Sequence, residues 1–117
     1  MGLDTTHNAW HGPYSSFNKF RFWLADRIGI NLNEYAGYGN GTKDLRNINH
    51  DLMPLFNHSD CDGILTADEC KQIANGLQKV IDAVVPDNSP FNNYERAKQF
   101  RDGCLLAVSR NEEIEFR

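Results

Sequence analysis

His58-Ser59-Asp60-Cys61-Asp62-Gly63-Ile64-Leu65-Thr66-Ala67-Asp68-Glu69 is the stretch on which the reading of this 117-residue chain turns. Its second half starts a helix. Thr66 and Glu69 form a Thr-x-x-Glu capping box, in which each side chain serves a backbone N–H that a helix start leaves without an intrahelical acceptor. Downstream, Cys70, Ile73, Leu77, Val80, Ile81 and Val84 recur at helical spacing as one apolar stripe, and Pro86 ends the run. The first half is acidic and turn-like. Asp60 and Asp62 alternate, and Gly63 supplies a backbone freedom that a side chain would forbid.

Working outward, the same periodicity marks three more helices. Ser15 and Ser16 are good N-caps, Phe17, Phe20, Leu24 and Ile28 follow at helical spacing, and Gly29 can end that helix. Residues 31–42 are rich in Asn and Gly and read as a loop. A helix is expected over Lys43 to Met53, with Leu45, Ile48 and Leu52 on one face and Pro54 stopping it. The last helix is expected to start at Asn92 or Asn93, with Ala97, Phe100, Cys104 and Val108 inward. Gly103 inside it is either a mild penalty or a point of close packing. The tail Glu113-Ile114-Glu115-Phe116-Arg117 alternates polar and apolar, as a short edge strand would, and could lie beside the N-terminal segment.

With Gly63 at the sixth position, the loop aligns with the calcium loop of an EF-hand. Asp60 then falls at position three, Asp62 at five, Ile64 at seven, Leu65 at eight, Thr66 at nine and Glu69 at twelve. Calcium takes six to eight oxygens, and alternate carboxylates on a tight turn supply them. Ile64 would contribute its carbonyl and Glu69 a carboxylate fixed in the first turn of the exit helix, where negative charge is favoured. Position one departs from the pattern. It holds His58, and imidazole is a poor calcium ligand. Asn57, one residue earlier, offers an amide oxygen if the loop is one residue longer. The expected ligands are therefore Asp60, Asp62, Ile64 and Glu69, with Asn57 or His58 at the entry. Pro54 before the loop and the lack of a second such loop are further departures.

Plainer and rival readings stand beside this one. A capping box needs no metal, and Asp-x-Asp-Gly is also a common turn. His58-x-Asp60-x-Asp62-Gly63 resembles the Asp-x-Asp-Gly element of DHH phosphoesterases, which use Mn2+ or a similar ion to activate water, but only over these residues. Zn2+ on His58, Cys61 and Cys70, with His50 as a fourth ligand, lacks the paired short spacings of structural zinc. Mg2+ is a further alternative ion. Near the N-terminus, Asp4, His7 and His11 cluster around Trp10. The His-x-x-x-His spacing would share one face of a helix and could bind metal or serve acid–base chemistry. The plainer reading, that these residues tie the terminus to the core by hydrogen bonds, is preferred because no third partner is identifiable. No Ser–His–Asp or Cys–His nucleophile arrangement and no Gly-rich phosphate loop stands out.

Composition bounds the rest. The length fits one domain over 1–117, and 40% hydrophobic with 24% charged residues describes a globular chain. A net charge of −4 gives no basic face for nucleic acid or membrane. Much of the acidity is local: Asp60, Asp62, Asp68 and Glu69 repel one another unless something positive compensates them. No apolar run reaches transmembrane length and no secretory signal is evident. Three cysteines, an odd number, favour reduced thiols in a cytoplasmic setting, with a Cys61–Cys70 disulfide left open.

Met1-Gly2-Leu3-Asp4-Thr5 with His7, Trp10-His11-Gly12, Tyr14-Ser15, Leu55-Phe56-Asn57-His58-Ser59-Asp60-Cys61-Asp62-Gly63, Thr66 to Cys70 and Glu115-Phe116-Arg117 together resemble a family of small uncharacterised proteins from bacteria and their phages. The resemblance spans most of the chain and implies a single-domain, intracellular protein with no activity to carry over.

The expectation is thus a mainly α domain of about four helices with an EF-hand-like loop and a short two-stranded element joining the termini. Its expected function is divalent-metal binding, Ca2+ first, in a structural or protein-interaction role, with homodimerisation worth testing. The alternatives are a metal-dependent hydrolase using the His58–Gly63 loop and a metal-free interaction or inhibitor protein whose acidic loop meets a basic partner.

Overall fold

The computed structural model describes residues 2–36, 38, 41–58, 62–83 and 93–116. Among the described residues four α-helices carry the fold, and two short antiparallel strand pairs hold its ends. Strands β1 (Gly2–Asp4) and β2 (His11–Pro13) form a hairpin with Leu3 opposite Gly12 and Asp4 opposite His11. The chain runs directly into helix α1, Tyr14–Arg27. Pro13 occupies the N-cap position with φ −61° and no side-chain cap, so the helix begins ahead of the expected caps Ser15 and Ser16. Its end is the expected one. Gly29 sits at φ +81°, its N–H bonds the Asp26 carbonyl and Ile30 N–H bonds Ala25, which closes a Schellman motif.

The expected helix over Lys43 to Met53 is not formed. Asp44 accepts from Arg46 N and caps a single 3-10 turn, Leu45–Asn47, and Ile48 is extended. Pro54 then lies in the first turn of helix α2, Met53–Phe56, rather than ending a longer one. Proline fits that place because the first N–H groups of a helix have no intrahelical acceptor. The apolar positions still reach the core: Leu52 is fully buried, Ile48 nearly so and Leu45 packs against it.

Strand β3 (Ile64–Leu65) leads into helix α3, Ala67–Ala83, which buries Cys70, Ile73, Leu77, Val80 and Ile81 as its stripe requires. Val84 and Pro86 lie outside the described residues. Helix α4, Asn93–Ser109, packs along α3 in the most extensive contact between elements. Val108 is only partly buried, whereas Ala97, Phe100 and Cys104 are fully inside. Gly103 is a point of close approach: a Cβ there would stand 2.6 Å from Ala9 Cβ, against the N-terminal hairpin.

The tail forms strand β4 (Ile114–Glu115), but its partner is β3 rather than the N-terminal hairpin. Leu65 faces Ile114, and both are buried. The termini meet through one bridge, Thr5 with Phe116, and through Glu115 N–H donating to Thr6 Oγ1 at 2.9 Å. An aromatic cluster drawn from both ends of the chain fills the space between. Trp10 lies 5.1 Å from Phe17 and 5.3 Å from Phe20, and Phe17 meets Phe100 and Phe116. Such pairs add about 0.5–1.5 kcal/mol each beyond the area they bury.

Candidate functional site: the loop between α2 and α3

The exit of the loop is fixed by reciprocal bonds. Thr66 N–H donates to Glu69 Oε1 at 3.0 Å, and Glu69 N–H donates to Thr66 Oγ1 at 3.2 Å, so both bonds of the capping box are made. Leu65, at the eighth loop position, is fully buried, and its carbonyl accepts from the Cys70 thiol at 3.7 Å. Pairing of β3 with β4 fixes Ile64, whose side chain is exposed while its backbone is held. Gly63 takes φ +93°, and its carbonyl accepts from Phe116 N at 2.9 Å. A side chain at Gly63 would be strained by the positive φ, although its Cβ would only touch the His58 ring at 3.4 Å.

The entry is held by two side chains from elsewhere. Tyr38 OH donates to the Phe56 carbonyl at the end of α2 at 2.7 Å. Arg21 of α1 donates through Nη1 to the His58 carbonyl at 2.7 Å and through Nη2 to Asn18 Oδ1. Arg21 is 4% exposed, with its guanidinium 4.7 Å from the Phe17 ring centroid and 5.1 Å from that of Tyr38. A buried cation must be matched by acceptors, and here it serves the first residue of an acidic loop. Sequence reading missed it because Arg21 lies on the inner face of α1, 37 positions from His58, in a run otherwise read as aromatic core.

The structure brings two of the expected site residues together. His58 Nε2 lies 2.9 Å from the Ile64 carbonyl oxygen. A carbonyl only accepts, so Nε2 carries the proton. The loop is thereby closed from its first residue to its seventh. The His58 ring also rests on Phe116, 4.1 Å between centroids. Asp62 and Asn57 are exposed, while Ser59, Asp60 and Cys61 lie outside the described residues. Among the described residues no group of three or more His, Cys, Asp or Glu side chains is gathered as a metal site would require.

The other candidates go elsewhere. Cys70 and Cys104 are free thiols, buried face to face between α3 and α4. The hydrogen bond from Cys104 holds the Cys70 thiol below its ordinary pKa, and the same contact with burial pushes Cys104 well above it. His50, proposed as a fourth zinc ligand, accepts from Leu52 N at its Nδ1, and burial lowers its pKa. His58, Cys70 and His50 are thus each engaged in separate places. His7 and His11 do not share a helical face. They flank the turn of the N-terminal hairpin, where His11 bonds Asp4 and Asn8, and His7 bonds Thr6 and Glu112. None of the described helices is long and apolar enough to cross a membrane.

Compared with known protein families, curated proteins and solved structures, the chain shows no match.

Proposed function

We propose that the loop over 57–69 binds a divalent cation, Ca2+ first, and that the ion fixes α3 and β3 against the end of α2, as a structural element or to set a surface for a protein partner. Asp60 and Asp62 would supply carboxylates, Ile64 its carbonyl and Glu69 a second-oxygen contact, with Asn57 or His58 at the entry. The single observation that carries this reading is Gly63 at φ +93° directly before the Ile64 carbonyl and the capped start of α3; the His58 Nε2–H that donates to that carbonyl at 2.9 Å would give way to the ion. A glycine in this left-handed conformation before the carbonyl ligand is what the sixth position of a calcium loop requires. The residues present fit the ion in part. The cap engages Glu69 through Oε1, so a bound ion would share that carboxylate or draw it from the cap. When bound, the ion would neutralise the local acidity and stabilise the folded state by mass action. The setting in which we place it is the cytoplasm, where Cys70 and Cys104 stay reduced.

A second reading is favoured by a specific observation. The Ile64 carbonyl and Glu69 Oε1 already have protein partners, and Arg21 already sits on the loop entry. In that reading the loop is self-sufficient and its acidic face meets a basic protein partner without metal. Calorimetric titration with Ca2+, Mg2+, Mn2+ and Zn2+ separates the two. The first expects saturable heat with Ca2+ that is lost in Asp60→Ala and Asp62→Ala. The second expects no heat with any of the four ions.

A further inference from the structure

A hydroxyl, an imidazole and a carboxylate stand in hydrogen-bonded series where the two ends of the chain meet. Glu115 N–H donates to Thr6 Oγ1 at 2.9 Å. Thr6 Oγ1 is 2.8 Å from His7 Nδ1, and His7 Nε2 is 2.9 Å from Glu112 Oε1. In the neutral ring only one assignment of protons satisfies all three contacts. Nε2–H donates to the carboxylate, which leaves the Nδ1 lone pair to accept the Thr6 hydroxyl. That is the arrangement of an activated nucleophile: hydroxyl, base within hydrogen-bond reach, and a third group orienting the base.

The series opens on space. A cavity of about 470 Å3 is bounded by Thr6, His7, Thr66, Ala67 and the 111–115 turn. Thr66 and Ala67 are the N-terminal edge of α3; the Thr66 N–H is taken by the Glu69 carboxylate of the capping box, which leaves the Ala67 N–H, a first-turn donor with no intrahelical acceptor, to meet developing negative charge. The backbone here is also unusual. His7, Asn8 and Asn111 take φ +63°, +56° and +52°; Asn111 is the C′ residue of a Schellman motif that closes α4, its N–H bonding the Val108 carbonyl and the Glu112 N–H bonding that of Ala107, so the unusual residue is His7. Asparagine visits this region routinely, so the cost of about 1–2 kcal/mol falls on His7. Backbone strain of this kind collects where side chains must be held in a working geometry.

We infer that Thr6, His7 and Glu112 form an acyl-transfer site that hydrolyses small carboxylic esters carrying a positive charge. Charge selects the substrate: among the described residues Glu112, Glu113 and Glu115 line the cavity, and no lysine or arginine does. Thr6 Oγ1 attacks the ester carbonyl carbon and its proton passes to His7 Nδ1. The tetrahedral oxyanion collapses, the bond to the leaving oxygen breaks, and His7 returns the proton so that an alcohol departs. Water then attacks the acyl-Thr6 ester, giving its proton to His7. Collapse releases the carboxylic acid, and Thr6 Oγ1 regains the proton. The sum is ester plus water to acid plus alcohol. Glu112 is the positioning residue, holding the ring and stabilising the imidazolium.

The full chain is assayed in chelator, which separates this chemistry from any metal-dependent hydrolysis, with acetylcholine, followed by acid release, as the cationic ester, p-nitrophenyl acetate as the neutral one and mono-p-nitrophenyl succinate as the anionic one. Turnover is expected, with the cationic ester favoured over the anionic by about tenfold or more. Thr6→Val and His7→Gln are expected to lower kcat by about 100-fold, and Glu112→Gln likewise with KM retained. Thr6→Ser keeps activity, and acid quench during turnover traps an acyl group on residue 6. If Thr6→Val fails to fold, Thr6→Ser and Glu112→Gln, at a half-exposed carboxylate, decide the matter. A purely structural tie would shift melting without moving any of these kinetic readouts. No turnover of any ester above buffer, or full turnover in folded Thr6→Val or Glu112→Gln, overturns the proposal.

Discussion

His58 reaches six residues along the chain to the Ile64 carbonyl, whereas His7 reaches 105 residues to Glu112. Both rings are held by bonds of 2.9 Å, and both sit beside strand β4 or the turn before it. The first bond closes a loop whose exit was already set by local rules: a capping box, a buried Leu65 and a left-handed glycine. The second exists only because the C-terminal turn folds back onto the N-terminal hairpin. The His58 loop still leans on the rest of the fold, through Arg21 and Tyr38 at its entry and Phe116 at its exit, but its closing bond is local. A site built from both ends of the chain depends on the whole core.

Substitutions in the two cores should show whether the hairpin is as integral as the loop exit. Trp10→Ala removes the centre of the aromatic cluster on the hairpin side and is expected to cost about 3–5 kcal/mol in denaturant unfolding. Leu65→Ala on the loop side is expected to cost about 2–5 kcal/mol. A Trp10→Ala cost below about 1 kcal/mol would make the hairpin a peripheral attachment and break the comparison.

Gly103→Ala tests the seam between hairpin and α4. The new Cβ would meet Ala9 Cβ at 2.6 Å and its Cα at 2.8 Å, both rigid. Helix propensity favours alanine by about 1 kcal/mol, so a net loss of about 1–3 kcal/mol would show that overpacking wins. A stabilised variant would show that the hairpin lifts freely from α4.

Thr66→Ala probes the loop exit alone. It removes one of two reciprocal cap bonds and is expected to cost about 1 kcal/mol in thermal unfolding. An unchanged midpoint would mean that the β3–β4 pairing holds the start of α3 without its cap.

The smallest effect lies on the segment before α2. Asp51 accepts from Lys79 at 3.0 Å and Asn75 at 2.6 Å, and the Lys79 contact holds its pKa below the ordinary aspartate value. A carboxylate whose pKa is lowered on folding contributes stability at neutral pH that disappears as pH falls through its folded-state pKa. Asp51→Asn should therefore cost less than about 1 kcal/mol at pH 7 and nothing under strongly acid conditions. An equal cost at both would assign the effect to packing.

Much of this was legible in the sequence, for physical reasons. Helix α3 was readable because its cap, stripe and start agree, and Gly29 marked the end of α1 by the same kind of local rule. Residues 43–53 show the opposite case. Leu45, Ile48 and Leu52 have helical spacing and do go to the core, but Asp44 caps only a 3-10 turn and Pro54 starts α2. Apolar spacing reported burial there, not helix. At the loop, Gly63 and the capping box took the expected conformations. The partner of β4 was not legible, because a two-residue strand carries no pairing information of its own. Neither was Arg21 as the anchor of the loop entry, nor Glu112 as the third partner of His7. Both are long-range contacts that no spacing rule reports.

The central claim is that the loop takes a cation, and thermal unfolding in millimolar Ca2+ against chelator tests it most directly, with wild type and Asp62→Ala side by side. The account predicts a higher midpoint for wild type in Ca2+, by about 2.7 kcal/mol of added stability at a hundredfold excess over Kd, and no Ca2+ response in Asp62→Ala. Identical curves for wild type in Ca2+ and in chelator would contradict it.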